Sequence, residues 1–190
     1  MAVAYASIHF TVGIALRSKL LASSWVANQQ HGRLVVAWIA DRTRQAGFRA
    51  DPASALPRCR DRIVAEDAAY RPTASRLFIN ADIDNDAVPE TRGFSIQMQN
   101  GVNVVTETII ACATGAVPVI APLTDSTSVE AQALNFSYYN AAGAAVTDLA
   151  NPAVIRTIRT VGVTVQVRAS AGAQGPTIQT WTTRIALRNP

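Results

Sequence analysis

Hydrophobic and polar positions divide this chain into two regimes: a helical period up to Gly47 and an alternating period beyond Arg76. Met1–Leu16 (MAVAYASIHFTVGIAL) carries no formal charge, and Val3, Tyr5, Ile8, Phe10, Val12 and Ile14 would surround most of a helix. From Arg17 and Lys19 the pattern turns one-sided. Trp25, Gly32, Val35, Val36 and Ile39 recur at helical spacing, while Gln29, Gln30, Arg33, Asp41 and Arg44 fall elsewhere. No proline precedes Pro52. Arg42 and Arg44 stand at the negative end of the helix dipole, and Gly47 tolerates the left-handed cap conformation. The pattern predicts one long helix over Met1–Ala46, stopped by Gly47, with Gly13 and Gly32 as candidate bend sites. At ~1.5 Å per residue it would run roughly 70 Å, so its apolar end should project from the domain.

Phe48 to Arg76 is irregular, punctuated by Pro52, Pro57 and Pro72, with a short helix predicted around Ile63–Ala69. Strands follow. Phe94, Ile96 and Met98 alternate with polar residues, and Asn100-Gly101 separates them from Val102–Ile110, the signature of a tight hairpin. Val117–Ala121, between Pro118 and Pro122, is an edge strand at best. Leu134, Phe136 and Tyr138 form one face of a further strand, ended by the Asn140–Gly143 turn. Val161, Val163, Val165 and Val167 then face one way, and Trp181, Thr183, Ile185 and Leu187 do so in the last run. These two runs should pair antiparallel. The expected fold is α+β: a long N-terminal helix (1–47, with 1–16 its apolar part) packed on an antiparallel sheet formed within a β-rich domain (48–190).

Composition changes this picture little. With 190 residues, 49% of them hydrophobic, the chain supports one ordinary domain plus the projecting helix. The net charge of +4 is diffuse, because acids interrupt the arginines, and Tyr138-Tyr139 places two rings on opposite faces of a strand. Nucleic-acid binding is therefore not expected. Sixteen apolar residues fall short of the ~20 that span a bilayer, and they lack the pattern of a secretory signal. Met1–Leu16 is either a buried helix end or the inner part of a membrane segment. Cys59 and Cys112 are too far apart for a C-x-x-C site; they fit a disulfide in an oxidising compartment and two buried thiols in a reducing one.

Candidate chemistry is sparse. His9 and His31 are the only histidines, with no acid and nucleophile at triad spacing, and no nucleotide, zinc or nucleophile-elbow motif occurs. No enzyme activity and no small-molecule substrate are expected. One cluster stands out: Asp82, Asp84, Asp86 and Glu90. Carboxylates at alternate positions in a tight loop can wrap oxygens around Ca²⁺, the one cofactor to consider, although Ala87 and Gly93 stand where an EF-hand has Gly and Glu. A solvated acidic turn, with Arg76 or Arg92 nearby, is the plainer alternative.

The stretch from Asn28 to Phe48 resembles the lower part of the N-terminal helix of type IV minor pilins and type II secretion pseudopilins, nearest to the W-like minor pilins and J-like pseudopilins. Arg33, Asp41, Arg44, Ala46, Gly47 and Phe48 carry the match. The Ala81–Glu90 turn and the closing Thr183–Asn189 run resemble segments of the same proteins. The family's leader and mature start with its glutamate are not in the sequence, so the resemblance places Met1 inside the usual mature helix. It implies a structural subunit of a type IV pilus or secretion pseudopilus, in a tip or assembly-priming complex. The helix face Leu16, Leu20, Trp25, Val35 and Ile39 would meet neighbouring pilin subunits. It also implies residence in the bacterial inner membrane before assembly, a periplasmic head domain and, from that compartment, a Cys59–Cys112 disulfide. The alternatives are a membrane-tethered calcium-dependent adhesin or binding module and, from another class, a periplasmic hydrolase.

Overall fold

Helix α1 occupies residues 30–44 of the computed structural model, which describes residues 30–124, 129–169 and 178–188. The helix expected before residue 30, with Gly13 and the apolar part to Leu16, lies outside the described residues. Within α1, Gly32, Val35, Val36, Ile39, Ala40 and Thr43 are buried, and Arg33, Leu34, Ala37, Trp38 and Asp41 are exposed. This is the one-sided stripe that helical spacing predicts. Gly32 lies within the described helix. The helix runs out through tighter turns, in which Gln45 and Ala46 donate to the carbonyls of Arg42 and Thr43. Gly47 then adopts φ 88°, and its amide donates to the carbonyl of Asn80 at 2.8 Å. The expected stop therefore holds to within two residues, and the glycine turns the chain onto the neighbouring strand.

The strands form two antiparallel sheets, which corrects the expectation of one. The first has the order β1 (Leu77–Ala81), β2 (Glu90–Gln99), β3 (Val102–Ala111), β4 (Val119–Pro122). The second has β5 (Val129–Tyr139), β6 (Thr160–Ala169) and β7 (Ile178–Ala186). Proline at the end of β4 removes a ladder donor, so that edge closes. On β5 the Phe136 amide is taken by the carbonyl of Ala74, a residue of the irregular segment.

Local chemistry explains the elements. Asn100 and Gly101 take φ 53° and 79°, the pair of positive values a two-residue hairpin needs, and Gln99 pairs with Val102. Val161, Val163, Val165 and Val167 are all fully buried, and Val161 and Val165 stand opposite Ile185 and Trp181 across the predicted β6–β7 pairing. The short helix expected around Ile63–Ala69 does not form. The backbone there pairs with β1 instead: Ile63 bridges Ile79, and Val64 donates to Phe78. One turn of helix, α2 (Pro152–Ile155), was not foreseen, although Asn151 caps it and Pro152 opens it. Cys59, in a 3-10 turn at Pro57–Cys59, is disulfide-bonded to Cys112 just beyond β3, with Cα atoms 5.9 Å apart.

A single core joins these parts. Val35, Val36, Ile39 and Ala40 of α1 cluster with Leu77, Ile79, Phe94 and Val105 of the first sheet and with Leu134, Phe136 and the β6 valines of the second. Val35 and Ile39, 3% and 0% exposed, thus face the domain's own interior. Leu16, Leu20 and Trp25 of the same expected face lie outside the described residues.

Candidate functional site

The β1–β2 connection begins where Ala81 pairs with Glu90 and holds Asp82, Asp84 and Asp86 between them. The turn is anchored to the end of α1. The Asp82 amide donates to the carbonyl of Phe48 at 3.0 Å, and the Arg49 guanidinium reaches Oδ2 of Asp82 at 2.9 Å. The helix ending and the acidic turn, separate in sequence, are thus one structural unit. Arg49 holds φ 54°, a left-handed value that directs the chain across the turn.

All four acidic residues converge: one carboxylate oxygen from each lies within 4.8 Å of the others. Asp82 and Glu90 are buried, and Asp84 and Asp86 are exposed. The turn is partly self-supporting, with the Ala87 amide on Oδ2 of Asp82 and the Val88 amide on Oδ1 of Asp86, at 3.1 and 2.8 Å. Oδ1 of Asp82 is buried and has no hydrogen-bond partner among the described residues. Burial pushes the Glu90 carboxyl up from its ordinary range, and the Asp84 charge adds to this. The Ile83 amide and Arg92 act in the opposite direction. Ala87 takes φ 70°, the conformation for which an EF-hand uses glycine.

Of the two cations expected near the turn, Arg92 is there, its Nε 3.6 Å from Oε2 of Glu90. Arg76 instead donates to the carbonyl of Arg71. Arg49 was missed because a residue just past a helix end carries no pattern that points to a loop more than thirty positions away. Arg92 continues inward to Oε1 of Glu107 at 3.1 Å, and Oε2 of Glu107 accepts from Trp38 Nε1 of α1 at 3.0 Å. Arg42 covers the same indole, 4.3 Å from its centroid. Polar contacts therefore run from the acidic turn to the outer side of α1.

A cleft of about 300 Å³ is lined by Arg60, Arg62, Arg156 and Arg159 together with Asp61. Arg156 bridges Asp61 and Glu66, and Arg62 donates to the carbonyls of Arg156 and Ile158, so these side chains tie the irregular segment to the α2 turn. The Nδ1 atom of His31 is buried without a partner among the described residues. His9 lies outside the described residues. No helix among them is long and apolar enough to cross a membrane.

No protein-family model matches the sequence, and no curated protein is similar to it. Among solved structures, the chain is similar to a type IV-like pilin from Thermus thermophilus, with 10% identity and a TM-score of 0.41 over 62% of this chain and 81% of that one. Overlap at that score carries no argument about role.

Proposed function

We propose that this chain is a non-enzymatic structural subunit of pilin type, a minor pilin or pseudopilin that joins a tip or assembly-priming complex. One observation carries the reading, the division of labour along the N-terminal stretch. Between Gly32 and Ala46 one stripe, Val35, Val36, Ile39, Ala40 and Ala46, is buried in the core that the chain's own sheets form, while Leu34, Ala37 and Trp38 are exposed. Ahead of this segment, Met1–Leu16 is uncharged and has no polar face. Lipid and packed helices are equally dry, so such a surface suits a membrane before assembly and a helix bundle afterwards. The resemblance of Asn28–Phe48 to pilin helices supports the same reading, as does the way Gly47 and Phe48 seat the helix end on the sheet. In it, a single long helix extends from the head, the head domain lies in the periplasm and the partners are other pilin subunits.

A photo-crosslinking residue at Leu16, Leu20 or Trp25 tests this in cells. Adducts with another filament subunit are expected. A protein found only as an uncrosslinked soluble monomer would refute it. The second reading, a tethered calcium-dependent binding module, is favoured by the buried, unpartnered Oδ1 of Asp82; it predicts surface display of the head without any subunit adduct.

A further inference from the structure

We infer that the cleft between the chain leaving α1, the irregular segment and the α2 turn binds a phosphate dianion, free or carried by a small monoester. Three observations support this. The first is the placement of two like charges. Arg62 donates to the carbonyls of Arg156 and Ile158 at 3.2 and 2.8 Å, and Arg159 donates to the same two carbonyls at 2.8 and 3.1 Å. Nitrogens that share acceptors at those distances stand no more than about 6 Å apart. Guanidiniums stay charged at any ordinary pH, so the pair repels, and an oxyanion beside both turns that repulsion into attraction.

The second is the charge of the lining. Arg60 meets Glu66, and Arg156 meets both Asp61 and Glu66, so two carboxylates balance these two arginines. Arg159 touches backbone carbonyls and no carboxylate among the described residues. Asp51, beside the rim residues Ala50 and Pro52, accepts from the Ala53 amide of its own loop. Four guanidiniums against two carboxylates leave an excess of two positive charges, which one phosphate dianion balances and a single carboxylate does not.

The third is room. At about 300 Å³ the cleft stands at the small end of ligand sites, enough for a phosphate and a short carbon chain. The planar fork of arginine matches phosphate oxygens, and Ile63 and Ile155 line the same cleft with apolar surface. The cleft belongs to the head domain, and the inference does not rest on the assembly role proposed above.

Calorimetric titration of the full chain at constant ionic strength, with glycerol 3-phosphate and with inorganic phosphate, tests the site. Saturable binding is expected, with Kd on the order of 1 mM or below. A lower Kd for glycerol 3-phosphate supports a monoester resting on Ile63 and Ile155, and equal values support free phosphate. Arg159→Gln, which keeps a donor for the carbonyls, should weaken binding at least about tenfold. Arg168→Gln, at a surface arginine paired with Glu130, should bind as the parent does. A second readout needs no variant: a phosphomonoester loses its second charge near pH 6, so affinity for glycerol 3-phosphate should fall about tenfold from pH 7.5 to pH 5. Protonation of Asp61 or Glu66 over that range would favour an anion, so the fall has to come from the ligand. Absence of saturable binding of either probe up to about 20 mM, acetate bound as tightly as phosphate, parental affinity in Arg159→Gln, or an affinity that does not fall in acid would overturn the inference.

Discussion

Trp181 of β7 lies so close to Gly32 of α1 that a Cβ on the glycine would stand 2.3 Å from Cζ3 of the indole. The glycine is buried in regular helix, so close approach is what it provides there. Alanine is the better helix former by about 1 kcal/mol, yet Gly32→Ala should destabilise the domain by about 1–3 kcal/mol through overpacking. Denaturant unfolding checks this. Trp181→Leu in the same chain should recover part of the loss, since the two positions share one contact.

This contact shows what the sequence made legible and what it did not. The stripe Val35, Val36 and Ile39, the Asn100-Gly101 hairpin and the β6 valines all follow from periods that a linear reading exposes. Gly32 was visible as a weak point in a helix, but the ring that requires it arrives from a strand some 150 positions away. The acidic turn was legible as a cluster, because its ligands are near neighbours in sequence. The Arg49 contact and the orphaned Oδ1 of Asp82 were not, because both depend on where the helix end docks. Ile63–Ala69 misled for the converse reason: a short apolar run fits a helix turn as well as an edge, and pairing with β1 decided it.

The Cys59–Cys112 bond closes a loop with a sequence separation of 53 residues. In the chain-entropy account such a crosslink contributes about 4 kcal/mol by restricting the unfolded state. The Cys59→Ser, Cys112→Ser variant should lose stability of that order in urea unfolding, and reductant should no longer alter its curve.

Glu107 is buried between Arg92 and Trp38. Its removal leaves Arg92, only 9% exposed, with the longer contact to Glu90 alone. Glu107→Ala should therefore cost roughly 3 kcal/mol, within the range for breaking a buried ion pair. Trp38 emission should shift as its Nε1 loses its acceptor.

Hydrogen bonds from Arg156, then from Arg60, hold the Glu66 carboxyl below its ordinary 4.5. A carboxyl with a depressed folded pKa stabilises the native state above its unfolded pKa, and that stabilisation is lost as pH falls through the folded value. The difference in Tm between the parent and Glu66→Gln should be full at neutral pH, shrink below about pH 4.5 and vanish in stronger acid. A difference that grew on acidification would contradict the ion-pair account.

In the proposed role, Met1–Leu16 serves assembly and membrane contact, while the head folds on the residues behind it. Vesicle flotation and sedimentation of the full chain, beside a chain lacking Met1–Leu16, test this most directly. The full chain should float with phospholipid vesicles or self-associate without them. The shortened chain should remain a folded monomer with nearly the same Tm, because the described part of the core already joins α1 to the two sheets. Loss of the folded head on deletion, or a full chain that stays monomeric and ignores lipid, would contradict the account.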